Sequence, residues 1–80
     1  MATKQILSPL PGTFYRKAAP DKPNFKNDGD GISAGDVVGL IEVMKSFHEV
    51  KSEAGGKIVT FLVENEEPVM AGQPLAEVDV

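Results

Sequence analysis

The chain contains the same short unit twice, and this internal repeat constrains its fold more than any other feature of the sequence. Residues 31–43, GISAGDVVGLIEV, align with residues 68–80, PVMAGQPLAEVDV, at an offset of 37 (68 − 31). Nearer the N-terminus, GTFY at residues 12–15 aligns with GKIV at residues 56–59, at an offset of 44 (56 − 12). We therefore expect two copies of one small unit, packed together as a single domain over residues 1–80.

Each copy has the pattern of short β-strands. Residues 58–63, IVTFLV, are rich in β-branched and aromatic side chains, and Ala34-Gly35 and Ala71-Gly72 mark turns in which glycine can take a positive φ. No window has apolar residues at helical spacing over a sufficient length. The sequence therefore predicts an all-β fold, a flattened barrel or sandwich of two four-stranded antiparallel sheets with quasi-two-fold symmetry.

The first copy is longer than the second. The two offsets differ by seven residues (44 − 37), and the surplus falls between Tyr15 and Phe25. Pro20 and Pro23 lie in this stretch, and proline has no backbone N–H to donate to a strand ladder. We predict a protruding insertion at residues 17–24.

The composition argues against several classes of function. The chain has no cysteine, which excludes disulfides, thiolate zinc and a cysteine nucleophile, and its one histidine, His48, is interpreted as a polar strand residue. Eight basic residues are scattered among twelve acidic ones, and the net charge of −4 argues against nucleic acid as a partner. No apolar run approaches the roughly 20 residues that span a bilayer, and no signal segment opens the chain. We expect a soluble, cytoplasmic protein without a metal site or a membrane partner.

One lysine lies at the joint between the two copies. Residues 39–43 are predicted to end the first copy as a strand and residues 46–50 to begin the second, which makes Met44 and Lys45 the central residues of a tight hairpin turn. Such turns usually contain Asn-Gly or Asp-Gly, so backbone energetics favour neither residue here. The choice indicates a role for a side chain.

A lysine at a hairpin tip can carry out one kind of chemistry by itself. Its ε-amine, when deprotonated, can attack an activated acyl group and form an amide, which removes the charge and leaves a long neutral tether. From these residues alone, a solvated surface lysine is the alternative.

The residues around the turn resemble a known family. Residues 42–80, EVMKSFHEVKSEAGGKIVTFLVENEEPVMAGQPLAEVDV, closely resemble the biotin-attachment half of biotin carboxyl carrier proteins, in which Glu-Ala-Met-Lys-Met marks the biotinylated lysine. Glu42, Met44 and Lys45 match that motif, whereas Val43 replaces its alanine and Ser46 its second methionine.

A second resemblance lies near the N-terminus. SPLPGTFYRKAAPDKPNF looks like the segment of acetyl-CoA carboxylase carriers that leads from the first strand into their "thumb", a protruding loop over one end of the domain. Gly12, Phe14, Tyr15 and Arg16 match its start, and the insertion at residues 17–24 falls where the thumb belongs. The resemblance to this family runs from about Leu7 to Asp79, nearly the whole chain.

The resemblance implies a non-catalytic carrier with the barrel-sandwich hybrid fold of biotinyl and lipoyl domains. Biotin would be attached covalently to Lys45 by a biotin protein ligase, with Glu42, Val43, Met44 and Ser46 as the other cofactor-binding residues. A biotin carboxylase would then load carboxyl onto the cofactor, and a carboxyltransferase would pass it to an acceptor, most directly in acetyl-CoA carboxylase.

Two other interpretations stay open. A lipoyl carrier has the same half-repeat fold and the same tip lysine, but usually Asp-Lys-Ala at the tip. In an unmodified interaction module, the tip would be only a turn, and an exposed strand edge would bind a partner.

Overall fold

Eight short strands make up the fold. The computed structural model describes residues 2–80, which form strands joined by turns and loops and contain no helix. The strands are β1 (Thr3–Leu7), β2 (Gly12–Tyr15), β3 (Gly31–Ile32), β4 (Val37–Val43), β5 (Ser46–Lys51), β6 (Gly56–Phe61), β7 (Glu67–Val69) and β8 (Pro74–Asp79).

The strands form two four-stranded antiparallel sheets, as predicted. One sheet has the order β1-β8-β6-β3 and the other the order β5-β4-β2-β7. The repeat relates β1 to β5, β2 to β6, β3 to β7 and β4 to β8. When each strand is replaced by its counterpart, the strand order of the first sheet becomes that of the second. The quasi-two-fold symmetry is therefore confirmed, and each sheet contains strands from both copies.

Strand β6 begins and ends earlier than the sequence predicts. The predicted strand covered residues 58–63, whereas β6 ends at Phe61. The backbone N–H of Leu62 still donates to the carbonyl of Leu75, at 2.8 Å, before the chain turns towards β7. The apolar run IVTFLV continues beyond the strand because Val63 is buried in the core.

The core consists of residues related by the repeat. Five pairs of apolar residues at corresponding positions are all buried, which places one hydrophobic layer between the two sheets. The pairs are Ile6 with Val50, Phe14 with Ile58, Ile32 with Val69, Val38 with Leu75, and Ile41 with Val78.

One difference in size between the halves is compensated within the core. Phe14 is larger than its counterpart Ile58, and a Cβ at Gly39 would collide with the Phe14 ring. The residue that corresponds to Gly39 is Ala76, which is fully buried. The half with the larger aromatic side chain therefore has the smaller neighbour, as close packing requires.

The turns after β1 and β5 are built in the same way. Ser8 Oγ donates to the carbonyl of Leu10 and Ser52 Oγ to the carbonyl of Ala54, both at 2.6 Å. Both serines are almost fully buried. These hydrogen bonds satisfy the buried hydroxyls and hold the two turns in one conformation.

The sandwich has two different ends. At the lysine end, the turn at residues 44–45 joins β4 to β5, and the loops at residues 8–11 and 70–73 cross between the sheets. At the terminal end, the symmetry-related strands β8 and β1 are not joined, and the backbone N–H of Val80 donates to the carbonyl of Ala2. Lys45 therefore lies at the end of the sandwich opposite Ala2 and Val80. Within residues 2–80 there is no helix long and apolar enough to cross a membrane.

Candidate functional site

The predicted two-residue turn is confirmed. Val43 and Ser46 form the last pair of the β4–β5 ladder, and the residues between them, Met44 and Lys45, have φ values of 49° and 67°. Positive φ at both central residues is the signature of a type I′ turn, whose twist matches that of the flanking strands. A non-glycine residue in this region costs on the order of 1 kcal/mol or more. Two consecutive residues, Met44 and Lys45, each carry this conformational cost.

The side chains of the turn extend into solvent. Met44 is 93% exposed, Lys45 is also exposed, and neither of the two ion pairs in residues 2–80 includes Lys45. The ε-amine is therefore free to enter the active site of another protein. The backbone below it is fixed by the β4–β5 ladder, so the lysine is presented at a defined position.

Glu42 connects the hairpin to strand β2. The hydroxyl of Tyr15 donates to Glu42 Oε1 at 2.8 Å, and Phe47 lies directly opposite Glu42 in the ladder. The rings of Tyr15 and Phe47 are 5.8 Å apart between centroids and inclined at 59°, a tilted contact at a distance typical of interacting aromatic pairs. These three side chains form a cluster on the outer face of the sheet, just below the tip.

The same cluster changes the acidity of the tyrosine. The hydrogen bond to Glu42 raises the pKa of the Tyr15 hydroxyl above its ordinary value, with desolvation and the charges of Glu42 and Glu66 adding to the effect. A phenol is already protonated at neutral pH, and the raised pKa extends to higher pH the range in which Tyr15 is the donor to Glu42.

A groove lies beside this cluster. It has a volume of about 370 Å³ and is walled on one side by the insertion. Its lining consists of residues 17–20, Tyr15, Phe47, Asn65 and Glu66. The insertion thus lies along the flank of the lysine hairpin rather than at the far end of the molecule.

The insertion is closed at its base. Lys17 and Asn24 form an isolated antiparallel bridge, and the backbone N–H of Phe25 donates to the carbonyl of Arg16 at 2.8 Å. Pro20 lies at the turn of the loop, where its fixed φ is accommodated and its nitrogen is not required to donate a ladder hydrogen bond. The loop therefore leaves and rejoins the sandwich at neighbouring points.

Arg16 attaches this base to the second copy of the repeat. Its backbone N–H donates to Asn65 Oδ1 at 2.8 Å, and its guanidinium carbon lies 4.2 Å from the centroid of the Phe61 ring. A cation over an aromatic face is stabilising, more so when it is partly desolvated. Both contacts hold the insertion at a defined angle to the sheet.

The residues singled out from the sequence fall into two groups. Met44 and Lys45 form the tip, with Val43 and Ser46 as the strand residues on either side. Glu42 lies below them and points to Tyr15. The role of these five residues in holding a cofactor stays a prediction.

Sequence reasoning did not single out Phe47, Asn65 or Glu66. The position of Phe47 could have been found, because a two-residue turn at 44–45 places it opposite Glu42. The other two residues reach the groove from the segment before β7, and no local pattern marks them. Within residues 2–80, no three His, Cys, Asp or Glu side chains come together in a group that could hold a metal ion.

The sequence is similar to those of several carrier proteins. The chain is 41% identical over 70 residues to the biotin carboxyl carrier protein of acetyl-CoA carboxylase from Pseudomonas aeruginosa, over 88% of this chain and 45% of the relative. It is 40% identical over 74 residues to the protein of the same name from Nostoc sp., over 92% of this chain and 41% of the relative. The chain thus spans less than half the length of these relatives.

Solved structures share the fold. The Kluyveromyces lactis urea carboxylase superposes with a TM-score of 0.79 at 29% identity, over 99% of this chain and 6% of that one. A single-chain, multi-domain long-chain acyl-CoA carboxylase superposes with a TM-score of 0.75 at 25% identity, over 94% of this chain and 7% of that one. The family model described as "Biotin-requiring enzyme" matches residues 4–78. This chain belongs to that family.

Proposed function

We propose that this domain is a biotin carboxyl carrier and that Lys45 is its attachment residue. The observation that carries the proposal is the exposed Met44-Lys45 pair in a strained two-residue turn, within a chain that belongs to a biotin-requiring family. The names of the relatives favour acetyl-CoA carboxylase as the parent complex. The domain has a carrier role, and its partners perform the catalysis.

Attachment requires an accessible amine and little else from this chain. Lys45 Nζ, once deprotonated, attacks the carbonyl carbon of biotinyl-adenylate in a biotin protein ligase; the C–N bond forms, AMP leaves and the amine proton is released. The hairpin presents Nζ beyond the sheet, where a ligase can surround it. The type I′ backbone fixes the direction in which the side chain starts.

The domain then supplies reach and placement. Bound biotin provides a ureido nitrogen that can carry a carboxyl group between two enzymes. Because Ala2 and Val80 lie at the end opposite Lys45, a linker attached at that end leaves the tip free to visit a biotin carboxylase and a carboxyltransferase in turn. Both enzymes, like the ligase, are partners in the proposal.

The insertion at residues 17–24 is proposed to act as the thumb. Its groove beside the tip, with apolar walls from Ala18, Ala19, Pro20 and Phe47, could receive part of a biotin group tethered at Lys45. The groove supports this proposal by its place and its size.

The proposed compartment is the cytoplasm.

Intact-mass measurement tests the attachment directly. The domain produced together with a biotin protein ligase should gain one biotinyl increment, and the Lys45→Arg variant should gain none, because a guanidinium stays protonated and is a poor nucleophile. Lys51→Arg, at another exposed lysine on the same hairpin, is the matched control and should be labelled like the wild type. A lipoyl increment, or no increment, would contradict the proposal.

A further inference from the structure

The two loops that surround the tip have an unusual composition. Residues 7–12, LSPLPG, and residues 70–73, MAGQ, both lie at the lysine end and contain no ionisable side chain. Leu7 is 50% exposed and Met70 is 69% exposed. We call these two segments the collar.

The fold itself does not require this composition. The corresponding segments at the terminal end are residues 51–56, KSEAGG, and residues 33–36, SAGD, which include Lys51, Glu53 and Asp36. Leu7 corresponds to Lys51 and Met70 to Ser33 in the repeat.

The backbone geometry is nevertheless the same at both ends. The N–H of Met70 donates to Gln73 Oε1 and the N–H of Ser33 donates to Asp36 Oδ2, each at 2.9 Å. Because equivalent turns accept charged residues at one end, the uncharged apolar collar has a reason other than folding. Exposed methionine and a lack of charge are typical of the centre of a protein interface.

The collar lies within a single footprint centred on Lys45. Gly12 pairs with Val69 in the ladder, and the position of its missing Cβ is 3.1 Å from a methyl group of Val43, so the collar begins one strand from the hairpin. Neighbouring strands are about 4.8 Å apart and facing sheets about 10 Å apart. A standard interface buries about 800 Å² per partner, a patch roughly 16 Å in radius, and would cover both loops.

We propose that the collar is the docking surface for the biotin protein ligase. This inference rests on the proposed function and names the part of the domain that the ligase binds. The ligase must bring an activated acyl carbon to Lys45 Nζ, no farther from the turn than the four-carbon stem of lysine reaches. It must therefore come against the end of the sandwich. The other partners act on the distal ring of the attached group and can do so without covering the collar.

Exchanging residues between the two ends tests the inference. The collar variant Leu7→Lys with Met70→Ser takes the residues that the same turns carry at the terminal end. Its kcat/KM as a substrate of the ligase from the same organism should fall about tenfold, mainly through KM, since two anchors of an interface are lost. The matched control, Lys51→Leu with Ser33→Met, should leave kcat/KM unchanged.

Two further measurements separate the outcomes. The melting temperature of the collar variant should stay within a few degrees of the wild type, and Met70→Ser alone, at a mostly exposed position, should lower kcat/KM about threefold. Unchanged ligase kinetics in the double collar variant or in Met70→Ser would overturn the inference, as would a loss confined to carboxylation of the loaded domain by biotin carboxylase. A wild-type domain that the ligase never labels would overturn the proposed function, and this inference with it.

Discussion

At one position of the repeat, this chain has a non-glycine residue at a positive φ, a backbone conformation that favours glycine. The repeat places Glu66, with φ of 66°, at the position that corresponds to Gly29, with φ of 88°. Both backbone N–H groups make the same contact, Glu66 to the carbonyl of Phe14 and Gly29 to the carbonyl of Ile58, each at 2.7 Å. Only one copy therefore has the glycine that this conformation favours. Glu66 lines the groove beside the tip, which gives its side chain a place that glycine could not fill.

Asp36 is expected to make the domain sensitive to acid. The hydrogen bond from the Ser33 N–H, aided by Lys26 at 3.5 Å, holds the pKa of Asp36 below its ordinary value, although desolvation opposes the shift. A carboxyl whose pKa is lower in the folded than in the unfolded state contributes stability above its unfolded pKa. That contribution is lost as pH falls through the folded pKa.

Asp36→Asn should therefore reduce the loss of stability in acid. The amide can still accept the Ser33 N–H, as Gln73 accepts the Met70 N–H at the corresponding position. Urea unfolding at pH 7 and at pH 3 should show a smaller fall in the free energy of unfolding for the variant than for the wild type. Gln73→Asn, a neutral exchange, should leave the fall unchanged. An equal fall in Asp36→Asn would contradict the linkage.

The prediction of the tip residues from the sequence depended on register. A two-residue turn at Met44 and Lys45 followed from two strand patterns that end and begin beside it, and the structure has that turn. The hydrogen bond from Tyr15 to Glu42 could not be predicted in the same way, because it joins residues 27 positions apart on different strands. Such a contact depends on how β2 pairs with β4, which local patterns do not specify.

At the scale of elements, the repeat predicts that two turns are energetically equivalent. Gly35 and Gly72 have φ values of 91° and 81°, and a Cβ added at either would have no atom within 4 Å. The cost of alanine is then the backbone conformation alone, on the order of 1 kcal/mol at each position. Gly35→Ala and Gly72→Ala should lower the free energy of unfolding equally, as measured by urea denaturation.

A control distinguishes backbone strain from steric collision. Gly12→Ala should cost more than either variant, because its Cβ would collide with the carbonyl of Glu42 and the side chain of Ile41. If Gly35→Ala is silent while Gly72→Ala unfolds the domain, the two turns are not equivalent.

The elements themselves were largely predictable, whereas their arrangement was only partly so. Both the strand patterns and the site of the insertion follow from self-alignment of the sequence, because the copies share buried positions such as Ile41 and Val78. The mixing of strands from both copies in each sheet does not follow from the alignment, since two separate four-stranded sheets would have the same pattern. The strand pairing in the structure distinguishes them: β2 pairs with β4 and β7, β4 pairs with β5, and the Phe14 ring lies near Phe61 of the other sheet.

At the scale of the whole molecule, the features that distinguish one copy of the repeat from the other lie towards the lysine end of the sandwich. The core pairs and the serine turns are duplicated, whereas the insertion lies along the flank of the lysine hairpin and the uncharged collar lies at the lysine end. A duplicated fold alone would leave both ends alike. These differences therefore fall at the end of the domain to which the proposed function assigns the ligase and the carboxylase partners.

Deleting the insertion tests whether it is dispensable for folding, as we expect of a feature that the second copy of the repeat lacks. Replacing residues 17–24 by one glycine removes seven residues and should give a first half that matches the second. Because the N–H of Phe25 already bonds to the carbonyl of Arg16, the joined ends are close, and the free energy of unfolding should change by no more than about 1 kcal/mol. Failure of this variant to fold would mean that the insertion belongs to the core.

The same variant should be acylated normally but hold its cofactor less firmly. In the proposals above, the ligase acts on Lys45 and docks on the collar. Neither the collar nor the β4–β5 ladder from Val37 to Lys51 includes the insertion, so the rate of biotinylation at Lys45 should be unchanged. The groove, however, loses the wall formed by residues 17–20, and NMR relaxation of isotope-labelled biotin should report a more mobile ring. A Gly/Ser loop of the original length should give the same mobility as the deletion, because it restores length without the apolar wall. Ring relaxation equal to that of the wild type in both variants would show that the insertion makes no contact with biotin, and the groove would then be a surface feature that Phe47 and Tyr15 form for the stability of the hairpin alone.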